Sequence, residues 1–171
     1  MSEPTTATVR VERVTPPVWR TYRDLRLAAL IDSPRAFWET YARAAARTDE
    51  QWRERCGPDA PATWLALDGE RPVGTVGLWH DPDQPAGEVV LVGLWVATVA
   101  RGTDVARRLV GTALDEAVTS GFRRVVLDVA HENTRAAAFY ARLGFTPTGQ
   151  VGAMPWDASV TEQTLALDLV P

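Results

Sequence analysis

The sequence predicts an α/β (α+β) fold: a mixed β-sheet with helices packed against its faces. Two observations carry this. Short β-rich runs alternate with segments whose apolar residues recur at helical spacing. Two of the runs, residues 88–96 and 124–129, are apolar on both faces, as central strands covered from either side must be. The order is β, α, α, β, β, β, α, β, α, β, β, with one further short helix before the second strand. A chain of 171 residues suits one domain with a sizeable core, and no linker or repeat divides residues 1–171.

Each element has its own reason. Residues 7–14 alternate in polarity like a strand. Pro16 and Pro17 suit the first turn of a helix, where a missing N–H costs nothing. Trp19, Tyr22, Leu25, Leu27 and Leu30 then line one side of it. Asp32-Ser33-Pro34 breaks that helix and launches another through Tyr41. A third, over 49–55, is capped by Thr48 or Asp49 and ended by Cys56-Gly57-Pro58. Residues 63–67 and 72–79 form a hairpin around Asp68-Gly69-Glu70-Arg71. Residues 80–87, with two prolines and a glycine, are loop. After strand 88–96, Val105, Leu109, Ala113 and Ala117 recur every fourth residue, with Ala106, Val110, Leu114 and Val118 beside them. That helix of about four turns ends at Gly121, a left-handed cap. Strand 124–129 leads to helix 134–143, closed by Gly144, and segments 145–148 and 164–169 finish the sheet.

Composition narrows the partners. The net charge is -4, and no basic run exceeds two arginines, which argues against nucleic acid. Cys56 is the single cysteine, so no intramolecular disulfide forms and a reducing compartment is expected. Residues 1–10 lack a signal-peptide core, and no apolar run nears the ~20 residues of a membrane span. A cytoplasmic protein without a membrane partner is the expectation.

Two stretches carry chemistry. The first is L-W-V-A-T-V-A-R-G-T-D-V-A-R-R-L, residues 94–109. It reads as a strand, a basic-glycine turn and a helix start. A helix start has unpaired N–H groups and partial positive charge, which suits a diphosphate. A dinucleotide site is disfavoured because no G-x-G-x-x-G occurs, and a G-x-x-x-x-G-K-[ST] site is excluded because lysine is absent. The second stretch is N-T-R-A-A-A-F-Y-A-R-L-G-F, residues 133–145, a helix with one tyrosine on the face of its first residue.

Together they resemble motifs A and B of the GNAT superfamily of acyl-CoA-dependent N-acetyltransferases. Arg101 matches the first position of motif A and Ala106 its last; Asn133, Ala136, Phe139, Tyr140, Gly144 and Phe145 fall at motif B spacings. The resemblance implies a GNAT-type fold with a mostly antiparallel central sheet, a splayed central strand pair and helices on both faces. It implies acetyl-CoA as co-substrate, no metal, and direct transfer to a primary amine of a small molecule or of a peptide or protein N-terminus. The diphosphate would meet Arg101, Gly102, Thr103, Asp104, Val105 and Ala106. Leu94, Val96 and Asn133 would hold the pantetheine arm, and Tyr140 would also meet the cofactor, protonating the leaving thiolate. Relatives place a glutamate base near Val90; Glu88, two residues earlier on the same strand face, is the candidate here, beside Asp128, His131 and Glu132. The acceptor would contact Phe37, Trp38, Tyr41, Trp79, Asp128 and the region of Met154-Pro155-Trp156. A homodimer through the last strands is common in relatives.

Two residues depart from the pattern. Thr98 stands where many relatives carry proline. Asp104 stands at the central glycine of motif A. It is a good helix N-cap residue, and also a negative charge beside a phosphate site. It motivates a second reading, a catalytically weakened GNAT-fold binding or sensor protein.

Overall fold

The structure is a computed structural model describing residues 9–169. The chain runs β1 (Arg10–Arg13), α1 (Trp19–Asp32), α2 (Tyr41–Ala45), α3 (Asp49–Glu54), β2 (Ala62–Asp68), β3 (Arg71–Trp79) and β4 (Glu88–Val96). It continues through α4 (Val105–Thr119), β5 (Arg124–Ala130), α5 (Thr134–Arg142), β6 (Thr146–Met154) and β7 (Asp157–Asp168). The strands form one sheet in the order β1-β2-β3-β4-β5-β7-β6. Only β4 and β5 pair parallel, across the α4 crossover; the other neighbours are antiparallel.

The two helical layers bury what the periodicities foretold. On one face Val105, Leu109, Val110 and Ala113 of α4 pack with Val73, Val89, Leu91, Val125 and Leu127, joined by Tyr140 and Phe145. Gly74 permits this approach: a Cβ there would sit 2.9 Å from Leu109 Cδ1. Leu109 is fully buried, so Leu109→Ala costs about 2–5 kcal/mol. On the other face Trp19, Tyr22, Leu25 and Leu30 of α1 and Trp52 of α3 pack with Leu65 and Trp95. A capping box between Thr48 and Gln51 starts α3.

The feature that positions the site is the parting of β4 and β5. They pair only from Glu88–Val90 to Arg124–Val126. Beyond that, β4 follows β3 to Val96 while β5 follows β7 to Ala130. The cause lies in β4. Val92 and Trp95 pair with Gly77 and Thr75, so three steps on β4 oppose two on β3. Gly93, at φ +65°, absorbs the extra residue in a bulge, and a bulge bends its strand. The result is a wedge open at the C-terminal ends of both central strands.

The expected elements need three corrections. No helix runs from Pro34 through Tyr41. Pro34–Ala36 form one tight turn, Phe37 is extended, and α2 begins at Tyr41 under a Thr40 side-chain cap. Phe37 is pinned by burial, which pulls the chain out of helical geometry. The last two strands are much longer than 145–148 and 164–169. In β6 every residue but Met154 is exposed, so it lacks the apolar alternation by which a strand is recognised. The first strand is shorter than 7–14, with residues 7 and 8 outside the described residues.

Candidate active site

The corner between β4 and α4 is built from backbone. Thr98–Ala100 make a tight turn, Arg101 is extended, and Gly102 takes φ +81°. Thr103 Oγ1 donates to the Ala100 carbonyl at 2.6 Å and accepts from Val105 N–H at 3.4 Å, which locks the approach to α4. The first bond of the α4 ladder is Arg108 N–H to the Asp104 carbonyl at 2.9 Å. The N–H groups of Gly102, Thr103, Ala106 and Arg107 therefore have no acceptor among the described residues, while that of Asp104 faces its own carboxylate. A Cβ at Gly102 would meet nothing within 4 Å, so the row is open from outside. Free amides clustered at a helix start form an anion cradle whose donors fit a diphosphate.

Two side chains of this corner behave differently from expectation. Asp104 sits at the N-cap position but its side chain caps nothing; its Oδ2 accepts from Arg108 Nε at 2.6 Å. That hydrogen bond holds the carboxyl below its usual range, a charge paired within its own helix. Arg101 turns to the protein rather than to the cradle: Nε donates to the Val96 carbonyl at 2.9 Å, and a terminal nitrogen bonds Asp32.

In the wedge, Leu94 and Val96 are partly buried against the α4 side of the core. Ala97 N–H bonds back to Val73 on β3. Backbone polar groups alternate sides along a strand, so those of Val96 face away from β3, toward the gap. Asn133 caps α5, accepting from Ala136 N–H at 3.2 Å, while its side-chain NH2 has no partner among the described residues. Two turns on, Tyr140 is 6% exposed and wedged edge-on between Phe139 and Phe145. Burial pushes its phenol well above the usual value, so it stays protonated at every physiological pH. Its hydroxyl has no hydrogen-bond partner among the described residues, yet is not among the sealed unsatisfied atoms.

Across the wedge Asp128 and Trp38, both expected at the acceptor side, meet a carboxylate that sequence patterns did not single out, Glu162. On β5, Val125, Leu127 and Val129 point into the α4 core, so Asp128 and Ala130 face the α1 side. Register places Thr164 opposite Asp128 and Glu162 opposite Ala130. Thr164 Oγ1 donates to Asp128 Oδ1 at 2.5 Å. Trp38 Nε1 donates to both oxygens of Glu162, at 3.0 and 2.9 Å, while Trp38 itself is 54% exposed. Glu162 is only 4% exposed; burial raises its carboxyl above the usual range, the Trp38 bond opposes this, and the nearby Asp128 charge adds to it. Gly152 on β6 leaves room, since a Cβ there would lie 3.3 Å from Glu162 Oε1. Asp128 is two residues beyond Val126, the last residue of β5 paired with β4, so the two carboxylates stand by the rim of the wedge.

Other candidates are not brought to this place. Glu88 lies at the closed end of the β4–β5 pair, held by Gln84 and 3.6 Å from Arg124 Nε. Six residues separate it from Leu94, ~20 Å along a strand. Trp79 pairs with Val90 at that same end, beside a shallow depression of about 300 Å³ lined by His80 and Phe122. Phe37 is core, its carbonyl bonded by Trp156 Nε1 at 2.7 Å and its ring under Arg26. Tyr41 is exposed at the start of α2. His131 bonds Thr161, and Glu132 pairs with Arg35. Among the described residues no group of three or more His, Cys, Asp or Glu is arranged to hold a metal, and no helix is long and apolar enough to cross a membrane.

The sequence pattern of the acetyltransferase (GNAT) family matches residues 25–145. N-acetyltransferase 8B of Homo sapiens is 33% identical over 135 residues, covering 75% of this chain and 58% of that protein. Mycothiol acetyltransferase of Beutenbergia cavernae is 36% identical over 117 residues, covering 66% of this chain and 38% of that one. The chain thus spans about half the length, or less, of these relatives. In fold it superposes on a GCN5-related N-acetyltransferase from Kribbella flavida with a TM-score of 0.75 at 23% identity, covering 98% of this chain and 100% of that one. A family pattern spanning well over half the sequence, matched on the strands and helices that frame the wedge, makes the assignment: the chain belongs to the acetyltransferase (GNAT) family.

Proposed function

We propose that the protein transfers the acetyl group of acetyl-CoA to a primary amine of a small molecule or of a peptide or protein N-terminus, by direct attack in a ternary complex. The observation that carries this is the meeting of the wedge with the open amide row at Gly102–Arg107. In this reading the row takes the diphosphate and the pantetheine arm lies between β4 and β5, near the free NH2 of Asn133. Val96 N–H polarises the thioester carbonyl, a donor fixed before the reaction begins. The amine nitrogen attacks that carbon and the C–S bond breaks. Tyr140 gives its proton to the departing thiolate. The proton lost by the amine goes to Glu162, directly or through one water, with Asp128 beside it to hold the ammonium form. A carboxyl raised by burial is a better base near neutral pH than an ordinary one. We therefore move the base from Glu88 to Glu162.

The bond from Arg108 to Asp104 favours turnover over the non-catalytic reading, because it pairs the charge that would oppose a phosphate. The test is thiol release from acetyl-CoA against a panel of amines, with thermal shift beside it. Ligand at 100 times Kd adds about 2.7 kcal/mol of stability. Release with some amine supports the enzyme. Stabilisation by acetyl-CoA without release from any amine supports the binding protein, and neither effect sinks both.

A further inference from the structure

Arg101 holds the first position of the motif, yet its guanidinium is engaged within the protein. Nε binds the carbonyl of Val96, the last residue of β4, and a terminal nitrogen binds Asp32, the last residue of α1. Asp32 also accepts from Trp95 Nε1 at 3.0 Å and from Ser33 Oγ at 2.7 Å. These three donors hold its carboxyl at about 2, with Trp95 contributing most. One carboxylate thus ties together the splayed end of β4, the phosphate corner and the end of α1. Residues 33–40 leave α1 at this knot and carry Trp38 to Glu162. A displacement of that segment pulls on Asp32, and through Arg101 on the carbonyl of Val96 beside the wedge.

We propose that Asp32 and Arg101 are positioning residues that couple the two half-sites, so that filling the phosphate corner orders the segment that carries Trp38 against Glu162 of β7 on the acceptor side. This rests on the acetyl-CoA reading. It assigns Arg101 a role distinct from that of a diphosphate ligand, and the two roles leave different traces. Coupling is reciprocal: a joint that transmits cofactor binding to the acceptor side must act in both directions.

The experiment compares Asp32→Asn, Arg101→Gln and the double variant of the full chain. Acetyl-CoA affinity is measured by calorimetry, and amine KM and kcat by initial rates, all well below each variant's Tm. A joint predicts that both single variants raise amine KM by similar factors, about 5- to 50-fold. The double variant is then no worse than the weaker single one, because the residues act as a unit. A diphosphate ligand predicts that Arg101→Gln weakens acetyl-CoA alone, while Asp32→Asn, by freeing the guanidinium, leaves its affinity equal or tighter and amine KM unchanged; that result overturns the proposal. Should Asp32→Asn fail to fold, Ser33→Ala removes one donor to the same carboxylate and must raise amine KM in the same direction by a smaller factor, and an unchanged KM overturns the joint. Failure of wild-type protein to bind acetyl-CoA would instead remove the parent reading.

Discussion

At the phosphate corner, a few consecutive residues supply every donor, and nearly all of those donors are backbone. Across the wedge, Asp128 and Glu162 come together from β5 and β7, 34 positions apart in the chain, and meet an indole from a third region. A corner made of amides depends on φ and ψ and tolerates changes of side chain. A group made of side chains depends on register, and a single substitution removes its chemistry. The first kind of site should therefore fail through glycine, and the second through loss of a functional group.

The largest effect tests the proposed proton donor between these regions. Tyr140→Phe should lower kcat by about 10²- to 10⁴-fold while acetyl-CoA affinity changes little. The hydroxyl has no partner among the described residues, so Tm should also barely move. Turnover at the wild-type rate would take Tyr140 out of the chemistry and leave it a core residue beside Phe145.

Glu162→Gln comes next and probes the register-built side. It should lower kcat/KM by roughly 10²-fold and flatten the acidic limb of the pH–rate profile. Its stability signature has a definite sign. Burial raises the folded-state carboxyl above its unfolded value, so Glu162 contributes stability that is full below the unfolded pKa and is lost as pH rises through the folded one. The glutamine stays neutral throughout. The Tm of the variant relative to wild type should therefore improve from acid to alkaline pH, and a difference independent of pH would mean that the carboxyl is not perturbed.

Gly102→Ala tests the backbone-built side. A Cβ there meets no atom, so the cost is the left-handed conformation itself, about 1–2 kcal/mol. The corner relieves it by relaxing φ, which turns the amides away from the diphosphate. Acetyl-CoA affinity should fall about tenfold with kcat at saturation nearly kept. Equal affinity would show that the cradle does not hold the phosphates.

The same contrast explains what was legible in the sequence. Arg101 to Ala106 form one uninterrupted stretch, and Asn133 and Tyr140 lie on one helix, so their spacing is enough to carry the resemblance to the family's motifs. The α4 stripe and the doubly apolar β4 and β5 gave the sheet its centre. Glu162 is hidden because the β-rich pattern of the last strand is visible in the sequence only from Thr164. Val160, Glu162, Thr164 and Ala166 do alternate, but a glutamate among them looks like a solvated edge residue until β6 is known to pair beside it. Glu88 drew notice through its nearness to Val90 in sequence, and only the register with Arg124 shows that it sits where the strands are still closed. The Arg101–Asp32 bond joins residues 69 positions apart, and no local pattern announces it.

Asp104→Gly should have the smallest effect, and it asks how far a backbone-built corner ignores its side chains. By composition the carboxylate would be an intruder at the proposed phosphate site. In the folded chain it is bonded to Arg108, one turn along the same helix, and exposed enough for solvent to screen what charge is left. Glycine removes that charge and frees Arg108 for the phosphates, but also loosens the first turn of α4. The two effects oppose each other. Acetyl-CoA binding should tighten by about two- to fivefold at low ionic strength, with the gain fading as salt is added. A gain of a hundredfold would mean that the Arg108 bond does not hold in solution and that the chain as it stands binds its cofactor poorly. Unchanged affinity at every salt concentration would mean that Arg108 already cancels the charge in full.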